Sequence, residues 1–252
     1  MIRDYIILLS WLCTVSGKEG YFWHISDIHY DPSYSIQGNG NGRCWNTKNS
    51  ADIGHTRLND KMPSAGIYGH YNCDSSWLLI ESAAKVMKAN PADGIEFVLW
   101  TGDALSRHES ITEEYRLQYL KNITDLLSHT FTGQFVFPVL GHEDIGLNYS
   151  QIANLWSNWL PDEALVTFRE NGYYTIEQRS KNYQIISLNT NLWLAANTGI
   201  DNRMPSQRAV GSSASVTLAA ASPVISDADP ANQWHWFGST LNKARKKGKI
   251  SR

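Results

Sequence analysis

Three apolar runs in this 252-residue chain each break off at a turn carrying carboxylates or imidazoles. "YFWHIS" (21–26) runs into Asp27-Ile28-His29, "IEFVLWTG" (95–102) into Asp103, and "FVFPVL" (135–140) into Gly141-His142-Glu143-Asp144. A fourth run, "YQIISLN" (183–189), has the same β-branched and aromatic character. Their near-continuous apolarity predicts strands covered on both faces. Between them, "SSWLLIESAAKVMKAN", "EEYRLQYLKNITDLLSH" and "YSQIANLWSNWL" repeat apolar residues at three and four. That spacing predicts helices, the first opening on Asp74 or Ser75 as N-cap. Strands alternating with helices give an α/β fold built from crossover units.

The order of these turns has a chemical consequence. In an open α/β sheet, ligands bind outside the carboxyl ends of the strands. Asp27, His29, Asp103 and the His142 turn should therefore arrive at one sheet edge. Carboxylate and imidazole together suit zinc, manganese or iron. An Asp bridging two metals about 4 Å apart can hold a binuclear centre that activates water and neutralises a phosphoryl group. Gly102 lets the backbone turn sharply into Asp103. One such turn is an ordinary strand-to-loop junction; three in succession, each after a buried strand, read as a metal site for phosphate ester hydrolysis.

The beginning of the chain reads as an export signal. Arg3, the apolar run "YIILLSWLC" and the small residues "TVSG" form a signal peptide over 1–17, cut near Gly17. The run is too short to span a bilayer, and no later segment reaches the roughly 20 apolar residues required. Cys13 would leave with the signal, so Cys44 and Cys73 remain as an even pair and a candidate disulfide. Asn122-Ile-Thr124 and Asn148-Tyr-Ser150 are N-glycosylation acceptors in an exported chain. The expected location is extracellular. A formal charge of −2 gives no global field for nucleic acid or a membrane surface.

After Asn197 the composition shifts. Residues 198–228 are Ser/Ala-rich and aperiodic, a long irregular loop. From Asp229 a helix resumes, with Asp229 as cap and Pro230 in its first turn, and 229–252 ends in a basic tail.

The pattern D-x-H, then G-D, then a G-N-H-[DE]-like turn is similar to that of the calcineurin-like metallophosphoesterases. "FWHISDIHYDPSY", "VLWTGD", "VFPVLG", "IANLWSNWLPDEA", "GYYTIE", "IISLNTNLW" and "DPANQWHWFGSTL" resemble the acid sphingomyelinase-like phosphodiesterases in particular, over roughly 20–197 and 229–243. The resemblance implies a β-sandwich flanked by helices, two zinc ions, and phosphodiester cleavage by metal-bound hydroxide. The substrate partner it implies is a small-molecule or lipid phosphodiester, of sphingomyelin or nucleotide type. It also implies that Asp27 and His29 hold one metal and Asp103 bridges both. The related purple acid phosphatases carry G-D-x-x-Y, but Ser106 stands at the tyrosine position, which favours a zinc-type site.

Two departures matter. Where the family reads G-N-H-[DE], this chain reads Gly141-His142-Glu143-Asp144. Either the Asn is deleted and His142 is the catalytic histidine, or His142 replaces the metal-binding Asn and Glu143 the histidine. The family also supplies three later histidines, whereas His235 is the only one here after His142. His24, His55, His70, His108 and His129 belong to no motif, although His70 and His108 fall in loops near the expected site. The expectation is the N-terminal half of a sandwich, a truncated product with little activity. The alternative is a secreted binding or regulatory protein on the same scaffold.

Overall fold

Strands β1 (Tyr21–Ile25), β2 (Ile95–Trp100) and β3 (Phe135–Pro138) lie side by side and parallel, in chain order. They belong to a computed structural model that describes residues 20–38, 44–45, 65–89, 94–106, 111–178, 183–193, 229–248 and 250–251. The expected signal peptide, the 198–228 loop, His55 and His108 lie outside the described residues.

Parallel neighbours need crossover connections. Helix α1 (Trp77–Ala89) follows β1 and α2 (Glu113–Thr130) follows β2, as the apolar spacing predicts. The cap of α1 differs from expectation: Ser76 Oγ accepts from the Leu79 amide at 3.3 Å, so the helix starts after Ser76 and not after Asp74 or Ser75. On α2, Leu120, Ile123 and Leu127 are buried at the three-and-four spacing, while Glu113 and Glu114 sit at the positive end of the helix dipole.

Trp100 and Val98 are fully buried, and Trp100 meets Trp156 edge-on at 5.7 Å between ring centroids. Each such side chain contributes about 1.5–3 kcal/mol through burial. β1 departs from the expectation of two covered faces. Trp23 and Ile25 pack on the core, but Tyr21, Phe22 and His24 are exposed, although β3, the other edge of the same sheet, is buried over three of its four residues. Phe22 stacks on Phe97 beside a cavity of about 710 Å³ that Phe137, Tyr183 and Ile185 also line.

Of the run expected to form one helix through Leu160, only the first part is an α-helix, and a further helix that was not expected follows it. α3 (Tyr149–Leu155) is capped by Asn148, whose side chain accepts from the Ser150 and Gln151 amides. α4 (Asp162–Asn171) begins after Pro161 and ends at Gly172, whose φ of 74° is left-handed. Pro followed by two acids, then a closing Gly, is the signal sequence reading passed over.

β4 (Tyr174–Gln178), likewise unexpected, pairs antiparallel with β5 (Tyr183–Ser187), and β6 (Ile250–Ser251) lies parallel beside β5. The two sheets meet where Tyr174 Oη donates to Pro138 O at 2.9 Å and where the Phe97 and Tyr183 rings lie 6.4 Å apart. Helix α5 (Gln233–Lys246) follows a short 3-10 turn (Pro230–Asn232), whose Ala231 and Asn232 are left-handed and form the kink. Asp229 does cap it, but across that kink: its carboxylate accepts from the Trp234 and His235 amides at 2.7 and 3.0 Å. The mixed α/β architecture thus agrees with the sequence reading. Among the described residues no helix is long and apolar enough to cross a membrane.

Candidate metal centre

Parallel pairing does not stop where β1 and β2 end. Asp27 N donates to Gly102 O (3.2 Å), His29 N to Asp103 O (3.0 Å) and Tyr30 N to Ala104 O (2.9 Å). This ladder of loop hydrogen bonds sets the D-x-H of the first strand against the G-D of the second. Asp27, His29 and Asp103 all take left-handed backbone, at φ 54°, 45° and 52°. Such a conformation costs a non-glycine residue on the order of 1–2 kcal/mol and persists only where surrounding bonds over-determine it. Here alternate residues of one loop and the facing residue of the next are turned toward a common point.

The ligand atoms of Asp27, His29 and Asp103 lie within 4.8 Å of one another. His29 Nε2 is 3.4 Å from Asp27 Oδ1. Two ligands about 2.1 Å from one tetrahedral ion stand about 3.4 Å apart, so this pair has the spacing of two ligands on one ion. Oxygen, nitrogen and oxygen donors together fit a borderline divalent cation. The Asp27 carboxyl is held below the usual range, first by the Ser26 hydroxyl; desolvation opposes this, and the hydrogen bond and charge of His29 and the charge of His142 lower it further. It stays ionised, as a ligand must.

The third strand delivers a support. His142–Asp144 form a 3-10 turn directly after Gly141. Asp144 is buried (3% exposed), and its Oδ2 accepts from the Asp103 amide (2.9 Å) and the Gly141 amide (2.8 Å), its Oδ1 from the Ala104 amide (3.2 Å). Burial pushes its carboxyl up to about 6; the Gly141 and Ala104 amides pull down, and the charge of Asp103 pushes up again. Asp103 Oδ1 accepts from the Glu143 amide at 2.7 Å, which fixes the carboxylate plane. His142 is exposed, with Nδ1 2.9 Å from Asp103 Oδ2 and Nε2 3.1 Å from Glu143 Oε1.

Of the residues singled out by sequence, Asp27, His29 and Asp103 come together, and His142 reaches Asp103 from the side. His24 Nε2 meets Thr101 Oγ1 at 2.9 Å, and His129 Nδ1 meets Asp125 O at 2.6 Å; neither joins the cluster. His70 stands by Cys44 and Cys73, whose sulfurs are joined in a disulfide with Cα atoms 5.9 Å apart. Among the acceptor asparagines, Asn148 is exposed at the start of α3 and Asn122 is half-buried on α2. Sequence reasoning missed the roles of Asp144, Arg116 and Asn191. Only Asp144 left a trace, as an acid three residues after a glycine that ends a strand.

No family model matches the chain. Among curated proteins, cyclic GMP-AMP phosphodiesterase SMPDL3A of Bos taurus is 32% identical over 237 residues, covering 88% of this chain and 45% of the relative. Acid sphingomyelinase-like phosphodiesterase 3b of Homo sapiens is 30% identical over 262 residues, covering 96% of this chain and 50% of the relative. Sphingomyelinase phosphodiesterase C of Dictyostelium discoideum is 31% identical over 198 residues, covering 74% of this chain and 42% of the relative. The chain spans about half the length of the curated relatives it matches. Homologues at about 30% identity over most of this chain are thus acid sphingomyelinase-like phosphodiesterases, the group its sequence resembles.

Proposed function

We propose that the chain serves phosphoric diester hydrolysis that depends on a divalent cation, zinc by family. Asp27, His29 and Asp103 would hold the cation. The observation that carries this reading is the convergence of those three side chains, each on left-handed backbone, at the carboxyl edge of the first sheet. A bound cation would supply charge neutralisation at the phosphoryl group and acidify water beside it. The chain's own part is to hold Asp103 in one plane through the Glu143 amide and to set His142 against its other oxygen.

The substrate class is a phosphodiester with a nucleotide or a sphingolipid head group, following the names of the relatives. The finer fold that goes with it is a two-sheet sandwich flanked by helices, supported by the Tyr174–Pro138 and Phe97–Tyr183 contacts. Export through the 1–17 leader, with glycans on Asn122 and Asn148, is supported by the apolar run at 5–13 and by the Cys44–Cys73 disulfide.

One observation favours a second reading, a cation-holding binding protein with little turnover. Both ring nitrogens of His142 lie against carboxylates, so the ring is engaged before any substrate arrives. Elemental analysis of the purified chain, together with a chromogenic phosphodiester assay before and after zinc reconstitution, separates the two. Bound zinc with turnover that a chelator abolishes supports the hydrolase. Bound zinc without turnover supports the binding protein. A chain that takes up no metal refutes both.

A further inference from the structure

The turn that carries His142 has its carbonyls captured from outside. Asn191 Nδ2 donates to Gly141 O at 2.8 Å. Arg116, reaching from α2, donates through Nη1 to Ile145 O at 3.0 Å and through Nη2 to Glu143 O. The peptide between the Gly141 and Glu143 carbonyls is the one whose N–H belongs to Glu143, and that N–H holds Asp103 Oδ1 at 2.7 Å. With both neighbouring peptides pinned, the Cα atoms of His142 and Glu143 at the two ends of this middle peptide are held in place, and its N–H is carried to Asp103 Oδ1 from fixed ends.

Both side chains are built for the task. Asn191 is buried (6% exposed), and its own amide is tied to Asn189 Oδ1 at 3.3 Å. Arg116 is half-buried; burial weakens its charged form, while Asp144, Glu143 and Glu113 hold it charged. A guanidinium spans two carbonyls on one rigid plane, which an ammonium does not.

We infer that Arg116 and Asn191 are positioning residues for the metal centre. They act through the 141–145 turn to fix the Glu143 amide against Asp103 Oδ1, leaving Oδ2 directed toward the cation and His142. This rests on the reading of Asp103 as a cation ligand. Groups that orient a ligating carboxylate typically change metal affinity by roughly 10–100-fold when removed.

The test uses the full chain and two readouts. The first is amide hydrogen exchange in the metal-free protein, comparing wild type with Arg116→Ala and Asn191→Ala. The expected result is loss of protection confined to Glu143 and its turn, with core amides of β2 and α2 unchanged. The second is titration with Co²⁺, followed by its visible absorption. Here the expected result is binding at least ~10-fold weaker with an altered spectrum, and recovery of Arg116→Ala on adding guanidinium ion. Unchanged Glu143 protection, or protection lost evenly across the protein, overturns the positioning role. So does wild-type Co²⁺ affinity in both variants. If the wild-type chain itself binds no Co²⁺, the cation reading fails instead, and the exchange pattern alone decides whether the two side chains hold the turn.

Discussion

Gly102 and Gly141 come so close that a Cβ on Gly102 would stand 2.1 Å from the Gly141 amide nitrogen. In the other direction, a Cβ on Gly141 would lie 2.3 Å from both the amide nitrogen and Oδ1 of Asp103. This approach lets Asp144, on the third turn, reach the backbone of the second. Gly102 is further committed by its φ of 94°. Gly141→Ala and Gly102→Ala should each cost at least about 2 kcal/mol in urea denaturation, because the clash is with backbone and cannot be relieved by a rotamer change. Both should also abolish Co²⁺ binding. Either variant binding Co²⁺ like the wild type would show that the turns tolerate separation.

Asp144 ties three amides with one carboxylate. Asp144→Ala leaves the amides of Asp103, Ala104 and Gly141 without that acceptor, and should destabilise by about 2–4 kcal/mol. Asp144→Asn should lose less, since one oxygen still accepts. Equal losses in thermal denaturation would mean that charge, not hydrogen bonding, sets the contribution.

The Cys44–Cys73 bond closes a loop with a sequence separation of 29. In the chain-entropy model that contributes about 3.5 kcal/mol. Cys44→Ser with Cys73→Ser should lower the melting temperature by several degrees, and a reductant should do the same to the wild type. Removal without effect would show that the unfolded chain is restrained by other means.

Tyr174 sets an alkaline limit. Its phenol is fully buried and donates to Pro138 O, so burial pushes its ionisation far above the usual tyrosine range. In the unfolded chain the same group ionises near ~10. An acid that keeps its proton when folded but loses it when unfolded gives full stability below that value and loses it above. Stability should therefore fall as pH rises past about 10, by up to ~1.4 kcal/mol per unit from this group. Tyr174→Phe should lose about 1 kcal/mol at neutral pH and show a shallower alkaline decline in equilibrium unfolding. An unchanged slope would assign the alkaline limit to other groups.

Much of the candidate site was legible locally. Asp27, His29 and Asp103 each follow an apolar run directly, and their side chains gather because consecutive parallel strands end at one edge. β2, β3 and β5 stood out through β-branched and aromatic residues, and α2 through its three-and-four spacing. β4 did not, because "YTIEQ" mixes polar and apolar residues and owes its pairing to β5. The helix expected over 149–160 stops at Leu155, because the turn that follows carries no glycine or proline to mark it, and α4, which begins after Pro161, was not expected at all.

The alternation of strand and helix, the loops that bear the carboxylates and imidazoles, and the even cysteine pair are all written locally, since each follows from neighbours along the chain. Packing between distant elements left residues of β1 exposed, brought Gln233 and Asn189 together to exchange hydrogen bonds at 2.7 and 3.0 Å and dock α5, and set Arg116 and Asn191 on the His142 turn. The reason is physical: a polar side chain finds its partner through the packing of distant elements, and nothing in its local sequence encodes which carbonyl will be within reach.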